Sequence, residues 1–104
     1  MFGGAGAALD RERIQRLFIE ASVQLAEIYG RRGDSENMLE ACRRALELDP
    51  VCEPAHQLAM RAHAARDDRA AIARQYQACR EATDHLFGLP PSEETEALYR
   101  KLMA

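Results

Sequence analysis

The side chains able to do chemistry are few and scattered. Cys42, Cys52 and Cys79 supply three thiols, and His56, His63 and His85 three imidazoles. Zinc needs three or four converging ligands at short spacings such as C-x-x-C. Cys52 and His56 are four apart, but Cys52 precedes a predicted helix, His56 and His63 are seven apart, and no C-x-x-C pair exists. A cysteine nucleophile needs a base to take its proton. No Cys here has a nearby His in a flanking motif. Cysteine is among the most buried residue types. Cys42 and Cys79 therefore read as packing residues between helices, Cys52 as a turn residue, and His56 as a hydrogen-bonding partner for a neighbouring hairpin.

The carboxylate pairs Asp67/Asp68 and Glu93/Glu94 would suit acid–base work. Each pair sits at a predicted helix start, where capping and the helix dipole account for acids without catalysis. Gly3-Gly4-Ala5-Gly6 is followed by no Lys-Ser/Thr and preceded by no strand, so it is not a phosphate loop. Arg31-Arg32 and Arg43-Arg44 would bind phosphate only as a patch. Neighbours on a helix point about 100° apart, so neither pair makes one. The expectation is a protein with no enzymatic activity, no cofactor and no metal.

Composition supports that class. The chain of 104 residues fits one domain, and 47% hydrophobic with 30% charged residues is an ordinary folded balance. The formal net charge is −3, and the basic residues alternate with acids, as at Glu40/Arg44 and Glu96/Arg100. Nucleic-acid binders concentrate positive charge on one face, so direct nucleic-acid binding is disfavoured. Three thiols, an odd number, read as reduced cysteines in a cytoplasmic protein. Met1–Leu9 is apolar and Gly/Ala-rich, lacks a basic start, and is too short to span a membrane. Residues 1–9 are expected to be a flexible leader, with the folded domain over 10–104.

Five helices are predicted. The first runs from about Asp10 to Arg32, with Ile14, Leu17, Phe18, Ala21, Leu25, Ile28 and Tyr29 at three- and four-residue steps. Gly33 ends it and Asp34 caps the next helix, Ser35 to Leu48, which Asp49-Pro50 stops. A third starts near Pro54 and ends about Arg66. Asp67 or Asp68 caps a fourth, which runs to Phe87 and is closed by Gly88. Leu89-Pro90-Pro91 is a rigid link, and Ser92 caps a last helix through about Met103.

An internal repeat separates a bundle from a stack of hairpins. A shift of 34 residues places Leu25 on Ala59, Ile28 on Ala62, Gly33 on Asp67, Met38 on Ile72, Cys42 on Tyr76 and Ala45 on Cys79. The apolar pattern and the turn keep register. That is the tetratricopeptide period, and Leu25, Tyr29, Gly33, Ala45 and Pro50 fall on its leucine, tyrosine, turn-glycine, small and proline positions. The predicted fold is all-α: two tetratricopeptide-like hairpins and a C-terminal capping helix.

The connectors carry a narrower resemblance. Leu48-Asp49-Pro50 is followed by Glu53 and Ala55-His56, then by Leu58-Ala59-Met60-Arg61, Gln75-Tyr76, Gly88-Leu89-Pro90-Pro91-Ser92, Thr95 and Leu98-Tyr99. With the earlier hairpin from Arg11, this resembles the bacterial transcriptional activator domain over about residues 10–103. That domain is the helical-repeat module of antibiotic-regulatory-protein-type regulators. Further helices and a winged helix-turn-helix usually precede it. The resemblance implies a regulatory domain of an activator that contacts protein: other domains of the regulator, the transcription machinery, or itself as a homodimer. It implies no direct contact with nucleic acid or membrane. By the same resemblance the first helix of each hairpin lines a concave face, placing Glu20, Val23, Glu27, Arg31, Gln57 and Arg61 there as candidate partner-binding residues. Val23 and Glu27 stand where some tetratricopeptide proteins carry a Lys/Asn clamp for carboxylates, which argues against a co-chaperone role. The alternative is a stand-alone tetratricopeptide adaptor unrelated to transcription.

Overall fold

A computed structural model of the chain describes the backbone of residues 3–104 and the side chains of residues 10–104. Five helices follow one another: α1 (Gly3–Arg31), α2 (Ser35–Leu48), α3 (Glu53–Ala65), α4 (Arg69–Phe87) and α5 (Glu93–Met103). No strand occurs among the described residues. α1 and α2 form one hairpin and α3 and α4 a second. α3 packs across both helices of the first hairpin, and α5 closes the far end against α3 and α4. The result is the tetratricopeptide-like stack with a capping helix.

The predicted stops and caps act where the sequence places them. The Asp34 carboxylate accepts the Asn37 backbone N–H at 3.1 Å, and Asp68 accepts that of Ala71 at 3.0 Å. Pro54 sits in the first turn of α3, and Ser92 caps α5. α1 begins earlier than the predicted Asp10. Met1 and Phe2, the first residues of the expected leader, lie outside the described residues, and the helix overlaps the rest of it from Gly3. Ala5, Ala7, Ala8 and Leu9 are strong helix formers, which outweigh Gly3, Gly4 and Gly6.

The repeat is most exact at its turns. Gly33 N–H donates to the Gly30 carbonyl at 3.1 Å, and Asp67 N–H to that of Ala64 at 3.0 Å. One residue on, Asp34 N–H reaches the Tyr29 carbonyl at 2.9 Å and Asp68 N–H that of His63 at 3.0 Å. These are the paired bonds of a Schellman turn. The turn needs a left-handed residue, and φ is 73° at Gly33 and 55° at Asp67. Asp67 carries a Cβ into that region, which costs an L-residue about 1–2 kcal/mol, least for Asp and Asn. Asp67→Gly is therefore expected to raise stability by about 0.5–1 kcal/mol, read as a higher urea midpoint with an unchanged slope. A lowered midpoint would contradict the strain argument.

Alanines dominate the joint between hairpins. Ala26, Ala41, Ala59 and Ala62 cluster with Met38 and Cys42, with Tyr29, Leu39 and Leu58 packed around them. Small side chains let the three helices approach closely. Gly30 serves the same contact: a Cβ there would stand 2.9 Å from Met38 Cε. A separate cluster, Met60, Ile72 and Leu98, fixes α3, α4 and α5 together.

The stripe read along α1 is not its buried face. Ser22 and Ala26 are buried and Ile19, Val23 and Tyr29 are half-buried, whereas Ile14, Leu17, Phe18, Leu25 and Ile28 are exposed. Apolar periodicity marks a face for contact, and here hairpin packing uses a different one.

Candidate functional site

The six residues expected on one face do not form one site. Glu27, Arg31 and Arg61 line a single groove of about 590 Å³ between α1 and α3, with Met38, Leu58 and Gly30 contributing its apolar wall. Glu20 lies elsewhere, in a depression beside Arg16, Leu48 and Asp49. Val23 is half-buried against Ala45, Cys52 and Ala55. Gln57 is committed to the fold: its amide donates to Thr95 Oγ1 at 2.8 Å.

The groove charges are unattached. Among the described residues, ion pairs join Arg43 to Glu40 and Glu47, Arg44 to Glu40, and Arg100 to Glu93, and none involves Glu27, Arg31 or Arg61. All three are exposed, beside the half-buried Leu58 and the buried Met38. A mixed-charge rim around an apolar floor is the make-up of protein-contact surfaces.

Around α5 several polar groups are instead engaged with α3 and α4. The Glu53 carboxylate accepts from Ser92 N–H at 3.0 Å, Ser92 Oγ at 2.9 Å and Thr95 Oγ1 at 2.5 Å. Burial alone would raise the Glu53 carboxyl, but the bonds from Thr95 and Ser92 outweigh it and hold it below its ordinary value. The Tyr76 hydroxyl donates to Glu96 at 2.7 Å, and its ring stacks on Tyr99 with centroids 3.9 Å apart. Because Glu96 is so taken, Arg100 reaches back two turns to Glu93 at 2.8 Å rather than to the acid four residues away. The Glu40/Arg44 pair does form, at 3.3 Å.

His56 is buried between the connector and α4. Its Nε2 lies 2.8 Å from the Pro50 carbonyl and its Nδ1 2.9 Å from Gln75 Nε2. The carbonyl accepts only, so Nε2–H donates to it and Nδ1 accepts from the amide. Burial lowers the imidazole below its usual value and outweighs the Pro50 carbonyl, which favours the charged form. Sequence reasoning expected a partner for His56 and did not find Gln75. It missed the Glu53–Ser92–Thr95 contact, whose members lie 39 and 42 residues apart.

The thiols are poor nucleophiles. Cys42, Cys52 and Cys79 are free and buried. Burial, with Cys52 nearby, pushes Cys42 up to about 12, and burial pushes Cys79 up to about 12. The thiolate is the reactive form, so both are inert at neutral pH. Among the described residues no three His, Cys, Asp or Glu side chains converge as a ligand set, and no helix is long and apolar enough to cross a membrane.

The family model described as "bacterial transcriptional activator domain" matches residues 2–103. No curated protein and no solved structure matches the chain.

Proposed function

The chain belongs to the bacterial transcriptional activator domain family, and from that membership we propose that it is a regulatory protein-interaction domain of an activator. It holds or aligns protein partners, which are other domains of the regulator or the transcription machinery. It neither binds DNA nor catalyses a reaction, and it works in the cytoplasm. The observation that carries this reading is the groove between α1 and α3, where Glu27, Arg31 and Arg61 are exposed over Leu58 and Met38 and, among the described residues, join no ion pair. A groove of that kind takes a peptide or helix with an apolar face and flanking charges of both signs. The charge balance, with 17 acidic against 14 basic residues, supports a role without phosphate contact.

A tethered reporter tests the proposal. The chain is fused to an unrelated DNA-binding domain whose site lies upstream of a weak promoter. Expression is expected to rise with the chain present. It is expected to return to background when Glu27→Arg and Arg61→Glu are combined, because both are exposed and neither supports the core. Stimulation that survives this double change at equal protein level overturns the groove as the contact surface.

A further inference from the structure

The exposed stripe of α1 fits a second copy of this chain. Ile14, Leu17, Phe18, Leu25 and Ile28 keep between 36% and 64% of their surface in solvent. From Asp10 through Phe18 every residue is exposed, with Ile14 and Phe18 bordering a depression shared with Arg44 and Leu48 of α2. At typical side-chain areas the five residues expose roughly 500 Å² of contiguous apolar surface, the size that marks an interaction site.

The repeat says what kind of surface this is. A shift of 34 residues carries Ala21, Leu25 and Ile28 onto Ala55, Ala59 and Ala62. Those alanines are 0%, 2% and 0% exposed. They lie on the side of α3 that packs against the first hairpin. α1 therefore leaves open the face that α3 buries on helices. It fills that face with Leu and Ile where α3 has alanine, so it is shaped for bulkier contacts than the joint inside the stack.

The order of residues says which helix. Outward from Ala21, Leu17 and Leu25 stand four residues away, Ile14 and Ile28 seven, and Asp10 and Arg32 eleven. Apart from Phe18, whose mirror position is Gln24, the pattern reads the same in both directions, with opposite charges at its ends. Two α1 helices placed antiparallel, with a two-fold axis at Ala21, bring Leu17 to Leu25, Ile14 to Ile28, and Asp10 to Arg32, each contact twice. Ala21 at the crossing allows close approach. Among the described residues neither Asp10 nor Arg32 has an ion-pair partner within the chain. Two such faces bury about 1,000 Å² in total, at the lower bound for a specific interface. From these observations we infer that the domain forms an isologous dimer through α1. This inference stands apart from the groove reading, because the stripe and the groove occupy different sides of α1.

Sedimentation over a range of about 5–500 μM tests it, since dimer mass grows with concentration when association is weak. The chain is expected to pass from monomer toward dimer mass. Leu17→Asp is expected to weaken association at least about a hundredfold, because the symmetry places the change in the interface twice. Its helical signal and melting should match the unaltered chain at dilution, as Leu17 is exposed in the monomer. Orientation is read by disulfide trapping, with the native thiols buried as an internal control. Ala21→Cys is expected to link to itself. Ile14→Cys is not, because its symmetry mate lies about 20 Å away along the helix, but it should link to Ile28→Cys in a mixture. A chain monomeric at the highest concentration, leaving the stripe to a different helix, overturns the inference. So does a dimer indifferent to Leu17→Asp, or self-linking of Ile14→Cys.

Discussion

Met60→Ala is expected to lower stability by about 3 kcal/mol, within the range for truncating a buried methionine. For a domain of this size that is a fall in melting temperature of roughly 10–20 °C. Met60 is wholly buried and is the largest such side chain, and it meets Ile72 and Leu98 where α3, α4 and α5 join. Removing its thioether opens a cavity among helices that two polar staples also hold, Glu53–Thr95 and Tyr76–Glu96. Those staples limit how far the walls can collapse, so relaxation recovers little. Met60→Leu keeps the volume and should cost less than about 1.5 kcal/mol. Thermal unfolding followed by circular dichroism separates the two variants. Equal losses from both would mean that side-chain shape, not volume, governs this joint.

The second large effect belongs to His56. His56→Ala is expected to cost about 2–4 kcal/mol, combining a cavity with two polar groups left without partners. The orphaned groups are the Pro50 carbonyl and the Gln75 amide. A pH dependence goes with it. The folded imidazole resists protonation, while the unfolded one takes a proton at its ordinary value near 6.5. Below that pH the unfolded chain binds more protons, so stability falls as pH drops from about 6.5 through the folded value. Burial lowers His63 as well, and it adds in the same direction. Glu53, held low by Thr95 and Ser92, adds a further loss below its ordinary range near 4.5. Urea unfolding at a series of pH values should therefore show a slope between pH 6.5 and 5.5. His56→Leu should flatten it, leaving the part due to His63. An unchanged slope in that variant would mean that His56 does not carry the effect.

Much of this fold was legible in the residues. Asp34, Pro54, Gly88 and Ser92 act through local backbone chemistry, so helix ends after the first could be placed to within a residue or so. The repeat was legible because Gly33 and Asp67 must both meet one backbone demand, a left-handed turn. The burial of α1 was not legible. Its apolar stripe is the more conspicuous face, but α1 packs on Ser22 and Ala26 with Ile19, Val23 and Tyr29 beside them, a face whose small central residues give the weaker apolar signal. Periodicity reports that a face makes contact and not with what. The site was legible only in part. Glu27, Arg31 and Arg61 converge because they follow the helix periods toward one groove. Glu20 and Val23 share the same helix but face the connector and the core. Gln57 was lost to Thr95, a residue 38 positions away, and no local pattern announces such a bond.

The proposed role requires that the domain contact protein and leave DNA alone. Fluorescence anisotropy of a labelled duplex of about 30 base pairs, titrated with the isolated chain at low and at physiological salt, addresses it most directly. No saturable rise is expected up to about 100 μM at physiological salt, at or beyond the ordinary range of non-specific binding. Saturable binding that weakens steeply with added salt would show several phosphates neutralised at once, and would contradict it.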